Sequence, residues 1–275
     1  MTAVLHARAP AKVNLCLFVG TPREDGLHPL VSVVQALSLA DELTLEPAER
    51  DEVVCPGVEG PNLAGRALRL FREHTGWDGP PQRLTIDKRI PVAAGMGGGS
   101  SDAAATLRLL AHAAGVPVPA ELGPRLGADV PSLIRPGRVL MSGAGEHVAR
   151  LPDPGPLGVL VLPADATLST PDVYREADRL GLTRPHAALD GVDTRVIHND
   201  LQDAARSLCP AIDAALDTAR AAGADHAIVS GSGPTVVGLF LGPEGPARAR
   251  KAIGAWPRAF AAEPVGEEWA SVTVR

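Results

Sequence analysis

Four short segments of this 275-residue chain carry residue types and spacings that could do chemistry. The densest is 91–101, where Pro91 is followed by Gly95, Gly97, Gly98, Gly99, Ser100 and Ser101. Four glycines in five positions let the backbone approach a ligand without Cβ obstruction. A helix opening directly after them presents unpaired amides and the positive end of its dipole. With two hydroxyls added, the segment reads as a phosphate cradle. It is not a Walker loop, because no lysine follows the glycines and neither Gly-Lys-Ser nor Gly-Lys-Thr occurs in the chain. Nor is it a dinucleotide fingerprint, since no strand–glycine–helix unit with a ribose-binding acid is present. Read alone, it is a cradle or a glycine turn with a Ser-Asp helix cap.

The second segment is Pro10-Ala11-Lys12-Val13-Asn14, in which Lys12 and Asn14 share one face at the start of a strand. A lysine near a strand end is ordinarily just solvated. This chain, however, uses lysine only at 12, 88 and 251 and otherwise relies on arginine, so each one invites a reason. The third segment is Leu126-Gly127-Ala128-Asp129-Val130-Pro131, whose aspartate sits among apolar residues and needs a partner if buried. Singly it reads as a turn or helix-end aspartate. The fourth, Ser230-Gly231-Ser232-Gly233-Pro234, permits a sharp turn with exposed amides and is otherwise only a hairpin.

These segments need elements to hold them. Apolar runs at 13–19, 30–39, 42–45 and 84–86 read as strands, and 62–73 as a helix behind an Asn cap. The glycine loop leads into a helix at 100–114 that ends at Gly115. After a linker at 151–156 come a strand at 157–162, a helix at 210–222, strands at 227–230 and 235–241 and a helix at 246–256. Strands and helices mix without strict βαβ alternation, which suggests an α+β protein of two domains, 1–152 and 153–275.

Composition narrows the classes. Apolar residues make up 45% and charged residues 21%, a balance that supports a sizeable core. A net charge of −6 without a basic block argues against nonspecific binding to nucleic acid or an anionic membrane. No apolar run reaches the roughly 18 residues of a membrane helix, and the first residues do not resemble a signal peptide, so a cytoplasmic protein is expected. Cys16, Cys55 and Cys209 are odd in number and widely separated, which suits neither a disulfide framework nor a zinc site. The histidines lack clustered metal-ligand spacing, and no protein-held metal is expected.

In this order the segments resemble the GHMP small-molecule kinases, which include galactokinase, homoserine kinase and mevalonate kinase. The match rests on Pro10-x-Lys12-x-Asn14, the run from Pro91 through Ser101, and Gly231-x-Gly233. Arg23-Glu24-Asp25-Gly26-x-His28, the segment 126–131 and Asn199-Asp200-Leu201 are similar to the branch acting on 4-diphosphocytidyl-2-C-methyl-D-erythritol. The resemblance runs from residue 9 to about 240. It implies a first domain like ribosomal protein S5 domain 2, a ferredoxin-like second domain and a cleft between them. It further implies transfer of the ATP γ-phosphoryl group to the 2-hydroxyl of the diphosphocytidyl alcohol, a step toward isoprenoid precursors by the non-mevalonate route.

The same resemblance implies residue roles. Asp129 is the base, with Lys12 beside it; Pro91, Gly95, Gly97, Gly98, Gly99, Ser100 and Ser101 hold ATP. Asn14, Leu27, His28, Thr170, Tyr174, Gly231, Ser232 and Gly233 meet the substrate. Mg²⁺ is expected to arrive as MgATP, and the protein to be a monomer or weak homodimer. The branch pattern is Asp-Gly-Tyr-His, with two aromatics sandwiching cytosine. Here position 27 is Leu, leaving Tyr174, the chain's single tyrosine, as the remaining stacker. Losing one ring implies base binding weaker by roughly 1 kcal/mol or more. A second departure, Ser132-Leu133 where an aromatic usually follows Val-Pro, implies only a packing change. Two other readings stay open: a sister kinase acting on homoserine or a mevalonate-type alcohol, and a catalytically silent nucleotide-binding regulator.

Overall fold

The computed structural model describes residues 4–58, 60–92, 94–164 and 166–274, and its frame is a long opening hairpin. Strands β1 (Leu5–Val19) and β2 (Leu30–Pro47) pair antiparallel along almost their whole length. Register shifts fall between Pro10 and Lys12 and between Asn14 and Cys16. Proline cannot donate to the ladder, and at the first shift the Lys12 amide leaves it to donate to the Met96 carbonyl at 2.9 Å. The backbone irregularity thus ties Lys12 to the glycine loop.

The apolar runs at 30–39 and 42–45 join into the single strand β2, which runs through Ala40 and Asp41. Asp41 is fully buried, and its carboxylate accepts from Lys88 and from the amides of Arg89 and Ile90. A charged residue is tolerated in a strand once every oxygen is satisfied. β3 (Glu52–Val54), α1 (Leu63–Thr75) and β4 (Gln82–Asp87) follow. Asn62 caps α1 by accepting the Ala64 amide, as its position suggested, and Gly76 closes the helix in the left-handed conformation.

Helix α2 (Gly98–Ala114) starts two residues earlier than the sequence suggested. Gly97 is its N-cap at φ +69°, no side chain caps the first turn, and Gly98 and Gly99 belong to the helix. The first half ends with α3 (Leu122–Leu126), α4 (Val130–Ile134), β5 (Arg138–Gly143) and β6 (His147–Arg150). One edge of β2 serves two partners: residues 30–35 pair with β5 and 42–47 with β4. Phe71, Leu107 and Leu110 from α1 and α2 close the core over Leu43, Leu84 and Ile86.

The second half contains β7 (Leu157–Leu162), α5 (Thr170–Arg179), β8 (His198–Asn199), α6 (Gln202–Leu208), α7 (Ala211–Ala221), β9 (His226–Val229), β10 (Val236–Leu241), α8 (Gly245–Lys251), β11 (Phe260–Ala262) and β12 (Thr273–Val274). Its antiparallel sheet has the order β11-β7-β10-β9. The helix expected over 246–256 stops at Lys251 and tightens into a 3-10 turn, Ala252–Ala255. Two short strands cross back: β8 runs parallel to β1 at Cys16 and Leu17, and β12 pairs with it at Leu5 and His6. Val159, Val161, Val237 and Leu239 pack with Val13, Leu15, Ile90 and Met96 in one apolar cluster, so the two α+β halves meet across a dry seam beside the glycine loop. Among the described residues no helix is long and apolar enough to cross a membrane.

Candidate active site

The glycine loop forms the wall between two cavities. One, of about 370 Å³, is lined by Pro91, Gly95, Gly97, Gly98, Gly99 and Ser100, and on its far side by Cys55, Val58, Asn62 and Leu63. The other, of about 330 Å³, shares Gly95, Gly97 and Ser100 and adds Lys12, Asn14, Asp129, Thr170, Tyr174, Gly231 and Ser232. Residue 93 of the loop lies outside the described residues. A larger groove of about 850 Å³ runs along α1 and β3 and meets the first cavity at Pro61, Asn62 and Leu63. It contains neither Lys12 nor Asp129, so size does not locate the chemistry here.

Two loop glycines are needed for contact as well as for conformation. Gly95 has φ +72°, and a Cβ on it would lie 2.4 Å from the Gly233 carbonyl oxygen, so the loop lies directly against the turn between β9 and β10. Gly97 has φ +69°, and a Cβ there would come within 2.9 Å of Lys12 Cγ. The lysine stem therefore rests on the glycine that starts the helix. Its ammonium donates to Asn14 Oδ1 at 3.0 Å and stands 3.3 Å from Asp129 Oδ2. Lys12 is nearly buried, whereas the Asp129 side chain is 32% exposed and opens to the cavity. A cation, a carboxylate and a row of uncapped amides thus converge on one volume, which is what stabilising a transferring phosphoryl group and an attacking oxygen requires.

The other expected residues separate into groups. Asn14 lines the cavity, but its amide is engaged at both ends, donating to Ser32 Oγ at 2.8 Å while accepting from Lys12. Ser32 in turn donates to the Cys16 carbonyl at 2.6 Å. Ser101, expected among the ATP ligands, is fully buried and faces away; its hydroxyl donates to the Pro10 carbonyl and its amide to the Gly97 carbonyl. Thr170 and Ser232 join hydroxyls at 2.9 Å across the cavity, bringing α5 against the β9–β10 turn. Burial, and then the charge of Asp129, push the Tyr174 phenol up to about 12, so it remains protonated at physiological pH.

The expected base pocket is only partly assembled around this volume. The His28 ring lies 4.9 Å from the Tyr174 ring, but its Nδ1 is 2.8 Å from the Gly20 carbonyl and its Nε2 is 3.3 Å from Asp178. Neither His28 nor Leu27 lines either cavity, and Leu27 is exposed. Gly233 lies behind Gly95 and does not line the cavity either.

Sequence reasoning did not assign several residues that shape the site. Lys88, which with Asp102 also lines the 370 Å³ cavity, is held between Asp41 at 2.5 Å and Asp102 at 2.8 Å. Burial opposes its charge, but Asp102 and Asp41 outweigh that and hold the ammonium above its ordinary value. Burial and the Asp41 charge push Asp102 up to about 7 against the pull of Lys88, since two carboxylates share one cation. The rarity of lysine was the available signal. Asn199, whose motif had no derivable chemistry, donates to both the Val229 and Gly231 carbonyls and so sets the β9–β10 turn.

Two α+β halves meet beside a glycine loop that borders two cavities, and the comparisons give the family of this fold. Family models described as "GHMP kinases N terminal domain" and "GHMP kinases C terminal" match residues 62–134 and 186–262, and the chain belongs to the GHMP kinases. Relatives named 4-diphosphocytidyl-2-C-methyl-D-erythritol kinase occur in Kineococcus radiotolerans and a Nocardioides species. They are 42% and 41% identical, over 88% and 84% of this chain and 83% and 87% of their own length. A crystal structure of 4-(cytidine 5'-diphospho)-2C-methyl-D-erythritol kinase aligns with a TM-score of 0.77 at 37% identity, covering 95% of this chain and all of that one. Homoserine kinase from Cytophaga hutchinsonii aligns at 0.67 with 17% identity, covering 100% and 97%, a likeness of fold alone.

Proposed function

We propose that this chain transfers the γ-phosphoryl group of ATP to the 2-hydroxyl of 4-diphosphocytidyl-2-C-methyl-D-erythritol. The observation that carries the reading is the Lys12–Asp129 pair, 3.3 Å apart, in the cavity whose wall is the glycine loop. The relatives' shared name supplies the acceptor.

In this reading the triphosphate lies along the start of α2, where the uncapped amides meet its oxygens, and the nucleoside runs toward Asn62 and Leu63. The acceptor hydroxyl enters beside Asp129. A tertiary alcohol is a crowded, weakly acidic nucleophile, so Asp129 takes its proton as the oxygen bonds to the γ-phosphorus and the bond to the β,γ-bridging oxygen breaks, releasing ADP. Lys12 faces the charge that builds on the transferring group. Asn14 orients Lys12, and Thr170, Ser232 and Tyr174 line the path of the diphosphocytidyl portion. Ser100 and Asp129 offer oxygen donors of the class Mg²⁺ takes, next to the phosphates. Mg²⁺ carried by the nucleotide would neutralise phosphate charge there.

The test is incubation of the purified protein with MgATP and each of three acceptors: the diphosphocytidyl alcohol, homoserine and mevalonate. ADP release with the first, and a new phosphomonoester on its tertiary carbon by phosphorus NMR, is the expected result. Release only with another acceptor would move the protein to a sister activity. ATP binding without turnover on any acceptor would favour the silent regulator.

A further inference from the structure

The residue that links all three parts of this site from outside it is Arg108, on α2. Its Nη1 donates to the Leu133 carbonyl at 2.9 Å and reaches the Ile134 carbonyl at 3.5 Å; its Nη2 donates to the Arg8 carbonyl at 2.6 Å. Leu133 and Ile134 end α4, the helix that starts immediately after Asp129. Arg8 lies on β1, four residues before Lys12. Arg108 itself stands on the helix whose first turn is the phosphate cradle. We propose that Arg108 is a positioning residue that fixes Asp129 and Lys12 relative to each other and to the nucleotide.

Three features support this assignment. First, α4 has only five residues, too few to hold its own conformation, and its last carbonyls need outside donors. A planar fork with separated donors satisfies that end of α4 and β1 together, which one ammonium cannot do. Second, the guanidinium has no carboxylate among its hydrogen-bond partners in the described residues. Burial pulls Arg108 down to about 10, with Glu267 opposing, and its Nε is buried without a partner. Such a cation is a poor device for stability alone, because its desolvation is only partly repaid by neutral carbonyls. Third, β1 is tied to the loop by other bonds, from Ser101 Oγ to Pro10 and from Lys12 N to Met96. Asp129, just before α4, meets β1 through Lys12, and Arg108 adds a side-chain tie from the end of α4 to both α2 and β1.

This inference rests on the reading of Asp129 as the base, and the experiment separates the two. Arg108→Lys and Arg108→Met are compared with the native enzyme for kcat, for KM of ATP and of the cytidyl acceptor, and for thermal melting. Arg108→Lys is expected to stay folded and lose about tenfold in kcat, and Arg108→Met up to about 100-fold, because a displacement near 1 Å is costly at a reacting centre. KM for ATP should stay within about twofold, since the cradle amides are untouched. When Asp129→Asn is already present, adding Arg108→Lys should not lower the residual rate further; a merely structural role would lower it in both backgrounds. Unchanged kcat in folded Arg108→Lys, or an equal loss on top of Asp129→Asn, would overturn the proposal. If Arg108→Met does not fold, Arg108→Lys alone decides. A native enzyme that releases no ADP with the cytidyl acceptor would instead remove the functional reading beneath it.

Discussion

Adjacent glycines of the loop face different lysines. A Cβ on Gly97 would press on the stem of Lys12, and one on Gly98 would approach Lys88 Nζ at 3.3 Å. Both lysines meet aspartates, but the two settings differ. Lys12 has one carboxylate at 3.3 Å, and that carboxylate opens to a cavity. Lys88 has two, at 2.5 and 2.8 Å, both in the protein interior, and one of them also takes two backbone amides. The Lys12–Asp129 pair, which in the proposed reading admits a substrate oxygen and moves a proton, is longer and exposed on the aspartate side. The Lys88 cluster, which fixes a strand, a turn and a helix start, is shorter, and its two carboxylates are buried although Lys88 and Asp102 border the 370 Å³ cavity. Charge pairing looks alike in both; the two differ in the length of the pair, in the number of carboxylates on the cation and in the exposure of those carboxylates.

Substitutions can test that division. Asp129→Asn should show the largest effect, a loss of about 10²–10⁴-fold in kcat, with ATP binding nearly intact by calorimetry. Turnover at the native rate would mean the open pair is not the reacting one. Lys88→Met should act on stability instead, costing about 3–5 kcal/mol in denaturant titrations because two buried carboxylates lose their cation. Its kcat, measured on folded protein, should fall far less than that of Asp129→Asn. A stable Lys88→Met with abolished turnover would reverse the roles assigned to the two lysines.

Gly97→Ala probes the boundary between the two settings. The left-handed φ costs a β-carbon about 1–2 kcal/mol, and displacement of Lys12 should lower kcat by up to about 100-fold. An active, fully stable variant would show that the stem contact has no consequence.

Asp102→Asn should give the smallest and most pH-dependent effect. Because the folded state raises this carboxyl to about 7, the native fold takes up a proton that the unfolded chain does not. The contribution is fully present below the ordinary carboxylate value and is lost as pH rises toward 7. Asn carries no charge at any pH, so the melting temperature of the variant relative to the native protein should climb between about pH 4 and pH 7 and level off above that. A constant difference would exclude this titration.

The sequence made the reactive setting more legible than the structural one. Gly95, Gly97 and Lys12 announce themselves by residue type, because few functions other than close backbone approach explain such glycine density. Asp41 falls between the two apolar runs read as separate strands, and nothing local shows that a lysine 47 positions away will bury with it. Ser101 reads as a ligand because, with Ser100, it follows the glycines in the family motif; a helix turns about 100° per residue, and that rotation carries its hydroxyl to Pro10. His28 was expected to be free to meet a base, but it is already engaged by Gly20 and Asp178, neither of which its motif predicts.

The order of the motifs, the cap at Asn62, the end of α2 at Gly115 and the presence of a cradle were set by local chemistry, which acts over a few residues and is written in their types. The 3.3 Å approach of Lys12 and Asp129, the seat of the β9–β10 turn on Gly95 and the fork of Arg108 were decided only when distant segments packed. Hydrogen-bond capacity belongs to a residue, but its partner is chosen by the fold, and burial determines what each contact is worth.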